Sequence, residues 1–583
     1  MKRNFIILLF IFIISVSFSQ NLTESEKMAR KLFSESLDSF FSGKRYDAKL
    51  KLEEAMSNQI YLNDIPYFWY YAAKLDLLLG NINRAKEDLN NILFFSPNNS
   101  EAISLLNFID SLKKIKFNIN PEIKIKEIGR IKNIVDSNEK FFIGNDFLII
   151  NEYIYILDIE NDLIYYTNLE NSEENWIRFE SIKEETFKPF NMYYDIRTDN
   201  FYLSGNSGLY IIRNFSNQQD FRFEKLNNFS NLLLVNFDRV GRFWTYSASN
   251  NSILVFDING KLIEEKKLEE KYVITHGSFV NDELSLLDIK NKQILVFSTW
   301  NLEIEKIIPL ENEHYPINII SLPYNAYIIS YMNDGVYLYQ NNLITKIFDF
   351  PYLIKYDKGI LMKFDYNKYE LVLDQIEYLT DIMNYYVFLY SIDFNVAKKQ
   401  INLKINTVSP EDNFINYIRK KIYITDTEGR YAFNYYMSYK KPKIMKFYNM
   451  EYLFLEMLPL IESESIIILK DDENFNYEKY INITNIMPLL VTNTTLYIIT
   501  DKDLNDEIKH LIQLTGGDII QTKYINVFEN YIKNSYKIIQ NISYNLFAPI
   551  APGIRPVKIN LQLDSKIISD TMYYYSEGVG IAE

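Results

Sequence analysis

The sequence contains no cysteine in 583 residues. That excludes disulfide staples, thiol nucleophiles and thiolate metal sites, and it excludes a lipidated N-terminal cysteine. Histidine is almost as scarce, with three in the whole chain, which leaves little room for imidazole chemistry. Basic residues are outnumbered: 62 Lys and Arg face 76 Asp and Glu, a formal net charge of −14. No basic run offsets this, so a phosphate backbone would be repelled and nucleic acid is not an expected partner. Missing too are a Gly-x-Ser-x-Gly elbow, a Walker loop, a dinucleotide fingerprint and a His-Glu-x-x-His site. Beyond the N-terminus no run approaches the ~18 apolar residues of a membrane span.

Aromatic residues, by contrast, make up 16% of the chain, with 47 Tyr and 40 Phe against only 17 Gly. Such side chains suit the half-buried pleated face of a strand, and with Asn, Ile and Lys they are also what AT-rich codons supply. The length suggests three or four domains at ~150 residues each. Hydrophobic residues at 48% and charged residues at 24% provide for several cores.

Residues 1–19 read as a signal peptide. Met1-Lys2-Arg3 is positive, Phe5 to Val16 is apolar but for Ser15, and Ser17-Phe18-Ser19 offers small residues for cleavage. An uncleaved anchor is the alternative. Export without cysteine fits a bacterial periplasm or cell envelope better than a disulfide-rich secreted setting.

Residues 20–117 have helical periodicity. Phe40-Phe41-Ser42-Gly43 through Ala48 aligns with Leu77-Leu78-Leu79-Gly80 through Ala85, an offset of 37 residues. Each Gly allows a tight interhelix turn, each Ala a close helix approach, and Pro97 stops a helix. The order Trp69-Tyr70, Gly80, Ala85, Pro97 resembles a tetratricopeptide repeat. That resemblance implies a short binding groove, with Phe68, Trp69, Tyr70, Tyr71 and Arg84 as candidate partner-binding residues; core packing is the competing role for several of them.

Residues 122–379 switch to short apolar runs punctuated by Asn, Asp and Gly turns. The clearest unit runs from Val235 through Asp238-Arg239-Val240-Gly241 and Phe243-Trp244 to Val255-Phe256-Asp257 and Gly260. Looser copies place equivalent positions at 166, 212, 256, 297 and 339, a spacing of 41 to 46 residues. A degenerate sixth copy uses Ile360 to Lys363 and Glu370 to Leu373. This pattern resembles an NHL-type β-propeller, which implies about six four-stranded blades.

Residues 380–450 are expected to be a linker or an additional β module, and 451–583 an α/β domain. Strands are expected at Ser465 to Leu469, Thr495 to Thr500 and Asp518 to Gln521, with helices at Leu504 to Leu514 and Val527 to Gln540. Tyr544 to Phe547 and Arg555 to Leu563 would form a closing strand pair. The order of helix, Thr515-Gly516-Gly517, strand, helix and Arg-x-Val strand resembles the last part of a von Willebrand factor A-type domain. Such domains hold a divalent metal on an Asp-x-Ser-x-Ser loop. Lys470-Asp471-Asp472-Glu473-Asn474 lacks the hydroxyls, so no metal is expected there.

His276 and His314 on neighbouring propeller units would meet in a channel only if the blades bring them together; two surface histidines are the simpler expectation. Asp501, Asp503, Asn505 and Glu507 begin like a calcium-binding loop but fail at Asp506 and Ile512, so they read as the acidic first turn of a helix. No catalytic residue, cofactor or metal is assigned. The sequence is therefore expected to be a multidomain, non-catalytic, exported scaffold with a protein or peptide partner in the envelope. A propeller hydrolase or lyase and a small-ligand or cell-wall sensor are the alternatives.

Overall fold

The computed structural model describes residues 22–113, 121–131, 144–150, 153–159, 161–168, 174–179, 182, 187–280, 283–357, 359–379, 386–395, 400–408, 422–425, 433–470, 475–545, 553–563 and 566–576. The leader expected at 1–19 and the loop at 471–474 lie outside the described residues. Among the described residues no helix is long and apolar enough to cross a membrane.

Among the described residues five α-helices open the fold: α1 (Glu24–Phe41), α2 (Arg45–Ser57), α3 (Ile65–Leu78), α4 (Ile82–Phe95) and α5 (Ser100–Lys113). Thr23 starts α1 with a capping box, accepting from Glu26 N at 3.2 Å while Glu26 accepts from Thr23 N at 2.7 Å. Gly43 and Gly80 take φ of +79° and +81° at the two interhelix turns, a region that a Cβ disfavours. Ala48 and Ala85 are fully buried, as a close helix approach requires.

Six four-stranded antiparallel sheets then form a β-propeller. The strands pair outward in chain order, so each blade is a meander. Blade 1 begins with Gly144–Ile150, blade 2 with Pro189–Asp195 and blade 3 with Leu232–Phe237. Blades 4, 5 and 6 begin with Ile274–Val280, Pro316–Leu322 and Leu353–Asp357. These six strands stand side by side around the central axis. Blade 6 takes its outermost strand from Glu122–Ile131, which pairs with Glu370–Leu379. The first strand of the domain thus closes the ring onto the last and removes the free edges an open sheet would carry.

Hairpin chemistry is local. Asp162, Asn251 and Asn333 each take a left-handed φ of 49° to 59° where the second and third strands of a blade join, the conformation Asn and Asp tolerate best. Between blades, side chains interleave: Trp244, Tyr246 and Val255 of blade 3 pack on Leu284, Leu286 and Phe297 of blade 4.

The C-terminal part is built on a parallel sheet of Ile444–Phe447, Ile466–Lys470, Thr495–Ile499 and Ile519–Ile520, in that order. One face, with Ile467, Leu469, Leu496 and Ile498, packs on α6 (Tyr477–Tyr480), α7 (Ile483–Val491) and α8 (Asp506–Leu514). The other, with Ile466, Ile468, Tyr497 and Ile499, meets α9 (Ile525–Asn534) and blades 2 and 3.

Three expectations change here. The helix expected to run to Gln540 ends at Asn534, and Lys537–Asn545 is a strand. That strand pairs with both Gln400–Val408 and Phe433–Lys440, so tertiary pairing overrides local helical periodicity. Nor is 380–450 a module on its own. Its strands share sheets with 537–545 and 553–576, and Gly553–Leu563 pairs with Lys566–Ser576 and Ile422–Thr425 rather than with Lys537–Asn545. Strands from both sides of the expected boundary at 451 share all three sheets of this part.

Candidate functional site: the propeller channel

The first strand of four blades carries a β-bulge in its opening turn, between Gly144 and Asp146, Pro189 and Asn191, Ile274 and His276, and Pro316 and Asn318. Each bulge leaves a polar residue opposite the penultimate residue of the second strand: Asp146 to Leu157, Asn191 to Ser204, His276 to Leu287 and Asn318 to Ser330. The same register position in blades 3 and 6 is Leu233, opposite Tyr246, and Leu353, opposite Phe364. All six residues line one central cavity of about 590 Å³, within the size range of small-molecule sites. A bulge re-aims the side chain that follows it, and four repeats of one irregularity build a ring.

The charges in this ring are matched internally. Lys355 Nζ of blade 6 lies 2.7 Å from Asp146 Oδ1 and 3.2 Å from the Met192 carbonyl. Asp146 also accepts the backbone N–H of Phe147 at 2.9 Å and of Met192 at 2.8 Å. Asn318 Nδ2 donates to the Ile354 carbonyl at 3.0 Å. Two atoms remain over. His276 Nδ1 and Asn191 Oδ1 have no solvent-exposed surface and no hydrogen-bond partner, and neither has the neighbouring Thr275 Oγ1. Burial pulls the His276 imidazole down to about 4, so it is neutral at ordinary pH; burial is the one cause, with no charged neighbour contributing. A buried polar atom without a partner costs about 1–3 kcal/mol, and a ligand that supplied the partner would recover it.

At the far end of the channel, Asp238 is held by Arg242 Nε at 2.5 Å and Trp244 Nε1 at 2.9 Å, and Arg239 Nη1 reaches the Gly517 carbonyl at 3.3 Å. The last of these contacts docks the C-terminal part on blade 3, and Arg197 Nη1 of blade 2 lies 3.4 Å from Tyr497 Oη.

The surface role expected for His276 is thus corrected: the bulge turns it into the channel wall. His314 is exposed in a loop and does not join it. His510 is buried on α8. Asn505 caps α8 by accepting from Ile508 N at 2.9 Å, with Asp506 and Glu507 in its first turn, as the helix-start reading requires. Among the described residues no group of three or more His, Asp or Glu is placed to hold a metal ion.

The candidate groove residues of the helical region separate. Phe68, Tyr70 and Tyr71 are buried. The Phe68 ring lies tilted against Phe33 at 4.4 Å and the Tyr71 ring meets it edge-on at 5.5 Å, while Tyr70 meets Tyr573 of the C-terminal hairpin at 5.4 Å. They are core, not a docking face, because α1 covers Phe68 and Tyr71 and the C-terminal hairpin covers Tyr70. Trp69 and Arg84 instead line a second cavity of about 330 Å³ between α2, α3 and α4. Sequence reading missed Asp146, Asn191 and Asn318. Their signal was present: each, like His276, stands 20 or 21 residues before a recurrent position at 166, 212, 297 or 339.

The sequence matches no protein-family model and no curated protein. Among solved structures the chain is similar to selenomethionine-substituted virginiamycin B lyase from Staphylococcus aureus, at 12% identity and a TM-score of 0.32, over 44% of this chain and 99% of that one. It is similar to the WD40 propeller domain of Doa1 at 9% identity and a TM-score of 0.31, over 43% and 97%. A structural-genomics protein of unknown function from Bacteroides thetaiotaomicron VPI-5482 matches at 11% identity and a TM-score of 0.33, over 44% and 77%. At these values the likeness carries no argument about chemistry.

Proposed function

We propose that this chain is an exported, non-catalytic binding protein that holds a small uncharged polar ligand in its propeller channel. The observation that carries the reading is the ring itself. Its one charged member, Asp146, is neutralised by Lys355 beside the ring, while His276 Nδ1 and Asn191 Oδ1 are left without partners. A ligand with a net charge would find no counter-charge free at this level, whereas hydroxyl or amide groups would pair with both side chains once the imidazole and the amide turn toward the cavity. Leu233, Leu353 and the aromatic walls at Tyr193 and Phe279 supply the apolar surface that such pockets combine with a few polar groups.

Binding fits better than catalysis. A general acid–base histidine is ordinarily oriented and tuned by a charged partner, and burial alone displaces His276. Asp146 is already occupied by Lys355 and two backbone N–H groups. Export rests on the leader pattern of Met1 to Ser19.

The test is native mass spectrometry of the full chain purified from its own source, beside the Asn191→Ala/His276→Ala double variant. A stoichiometric small molecule on the first and not the second is the expected result. An empty channel in source-purified protein, with no thermal shift from neutral sugars or capped dipeptides, sinks the binding reading. Recovery of a covalently altered molecule sinks the non-catalytic one.

A further inference from the structure

The second cavity, between α2, α3 and α4, is separate from the channel and has its own chemistry. Its walls are Leu52, Met56, Ala72 and Leu75, with the half-buried Trp69 indole at one side. Five charged groups stand around it: Lys49, Glu53, Asp76, Arg84 and Asp88. Four of them are mutually engaged. Lys49 is bonded to Asp76, Arg84 Nε lies 3.8 Å from Asp76 Oδ2, and Arg84 Nη2 lies 3.2 Å from Glu53 Oε1. Asp88 is the fifth. It is 6% exposed, and its Oδ2 has neither solvent-exposed surface nor a hydrogen-bond partner.

We propose that this cavity is a docking site for the primary ammonium of a lysine side chain on a partner polypeptide, with Asp88 as its counter-ion. Three carboxylates against two cations leave one negative charge, and the unmatched one is Asp88. An anion would face that charge. A wholly apolar group would leave Asp88 Oδ2 buried and unpaired, at the cost such a group carries. A lysine matches both features: its methylene stem packs on Leu52, Met56 and Leu75, and its head reaches the carboxylate. The Trp69 ring face adds an attraction for the same charge.

Burial first, and then Asp76, push the Asp88 carboxyl up to about 7, while Arg84 and Lys49 act in the opposite sense and Glu87 adds to the rise. Docking an ammonium requires the ionised form, so affinity rises between pH 6 and pH 8.

The probe is a capped pentapeptide, acetyl-Gly-Ala-Lys-Ala-Gly-amide, titrated calorimetrically into the full chain at pH 8 and 150 mM salt. Its Nε-acetyl-lysine and glutamate counterparts run in parallel. The expected result is saturable one-site binding of the lysine peptide, with roughly tenfold weaker binding at pH 6, where about a tenth of Asp88 is ionised. Acetylation and Asp88→Asn each weaken it at least tenfold, and the Asn variant shows no pH step. Equal binding of the acetylated peptide, or equal binding to Asp88→Asn, overturns the proposal, because the cavity then reads stem or surface charge alone. So does a preference for the glutamate peptide, or the absence of saturable binding by the lysine peptide. A melt of Asp88→Asn at pH 8 separates lost docking from lost folding.

Discussion

Lys74 of α3 and Asp570 of the C-terminal hairpin form an ion pair buried on both sides, with 2% and 5% of their side chains exposed. The pair joins two parts of the chain 496 residues apart. Asp570 also accepts the backbone N–H groups of Leu389 and Thr571, so its oxygens are shared among three donors. Burial pushes its carboxyl above the ordinary range, although Lys74 and the two N–H groups favour the charged form. The helical layer is thereby fixed to the antiparallel sheets, beside the contacts of Tyr67 and Tyr70 with Tyr573 at 4.6 and 5.4 Å.

Removing one member strands a buried charge. Lys74→Met is expected to cost about 3–5 kcal/mol. The double variant Lys74→Met/Asp570→Leu should cost less, because no charge is stranded, the remaining loss being that of the acceptor for the Leu389 and Thr571 N–H groups. Chemical denaturation of the full chain decides it. Equal losses in the single and double variants would show that packing, not the pair, holds the layers together.

Gly241 marks the joint between propeller and C-terminal part. Its φ is +85°, and a Cβ there would fall 2.2 Å from Cγ of Tyr531. Tyr531 is fully buried on α9, so it cannot swing away. Gly241→Ala therefore meets both backbone strain and overpacking, an expected loss of about 2–4 kcal/mol. Limited proteolysis should cut between the propeller and the C-terminal sheets in this variant. Unchanged protection would mean that the turn at Asp238 to Arg242 shifts without undocking.

How much of this was legible follows from distance in sequence. Blade pattern and turns were readable because Asn251 and the Asp238 to Gly241 turn act on their neighbours. The interhelix turn at Gly80 was readable for the same reason. What escaped depends on partners far away. Phe68, Tyr70 and Tyr71 look like a groove until Phe33 and Tyr573 cover them. Residues 537 to 540 look helical until Gln400–Val408 and Phe433–Lys440 recruit them into a sheet. The channel ring lies between these cases. The bulges that present Asp146, Asn191, His276 and Asn318 are local, but their convergence is produced by ring closure.

His276, half-buried in the channel wall, and the buried His510 give an acid-limb prediction. Burial holds His276 and His510 down to about 4, with Arg239 adding to the effect at His510. In the unfolded chain each binds a proton near pH 6.5, so below that pH the unfolded state holds more protons than the folded one. Stability is full above pH 6.5 and falls toward pH 4. Each histidine contributes on the order of 2–3 kcal/mol of that fall, at 1.36 kcal/mol per pKa unit. His276→Gln should remove its share and leave stability near pH 7.5 little changed. Thermal melts at half-unit steps from pH 7.5 to 4.5 provide the check, and parallel curves for the two proteins would refute a neutral channel histidine.

Asp88 has the opposite sign and lets stability be weighed against docking. Its folded value is raised to about 7 from an ordinary 3.8. Between these values the folded state holds the extra proton, so raising the pH costs stability, fully so above 7 and not at all below 3.8. Asp88→Asn should therefore raise the melting temperature at pH 8 and leave it unchanged near pH 4. The gain is about 1–3 kcal/mol, less than the whole shift implies because the cavity opens to solvent and screens the charge. A carboxylate that destabilises its own fold at neutral pH is what a site kept for a cationic partner would carry. If the Asn variant is less stable at pH 8, Asp88 is serving the fold of the helices, and the strain attributed to it is absent.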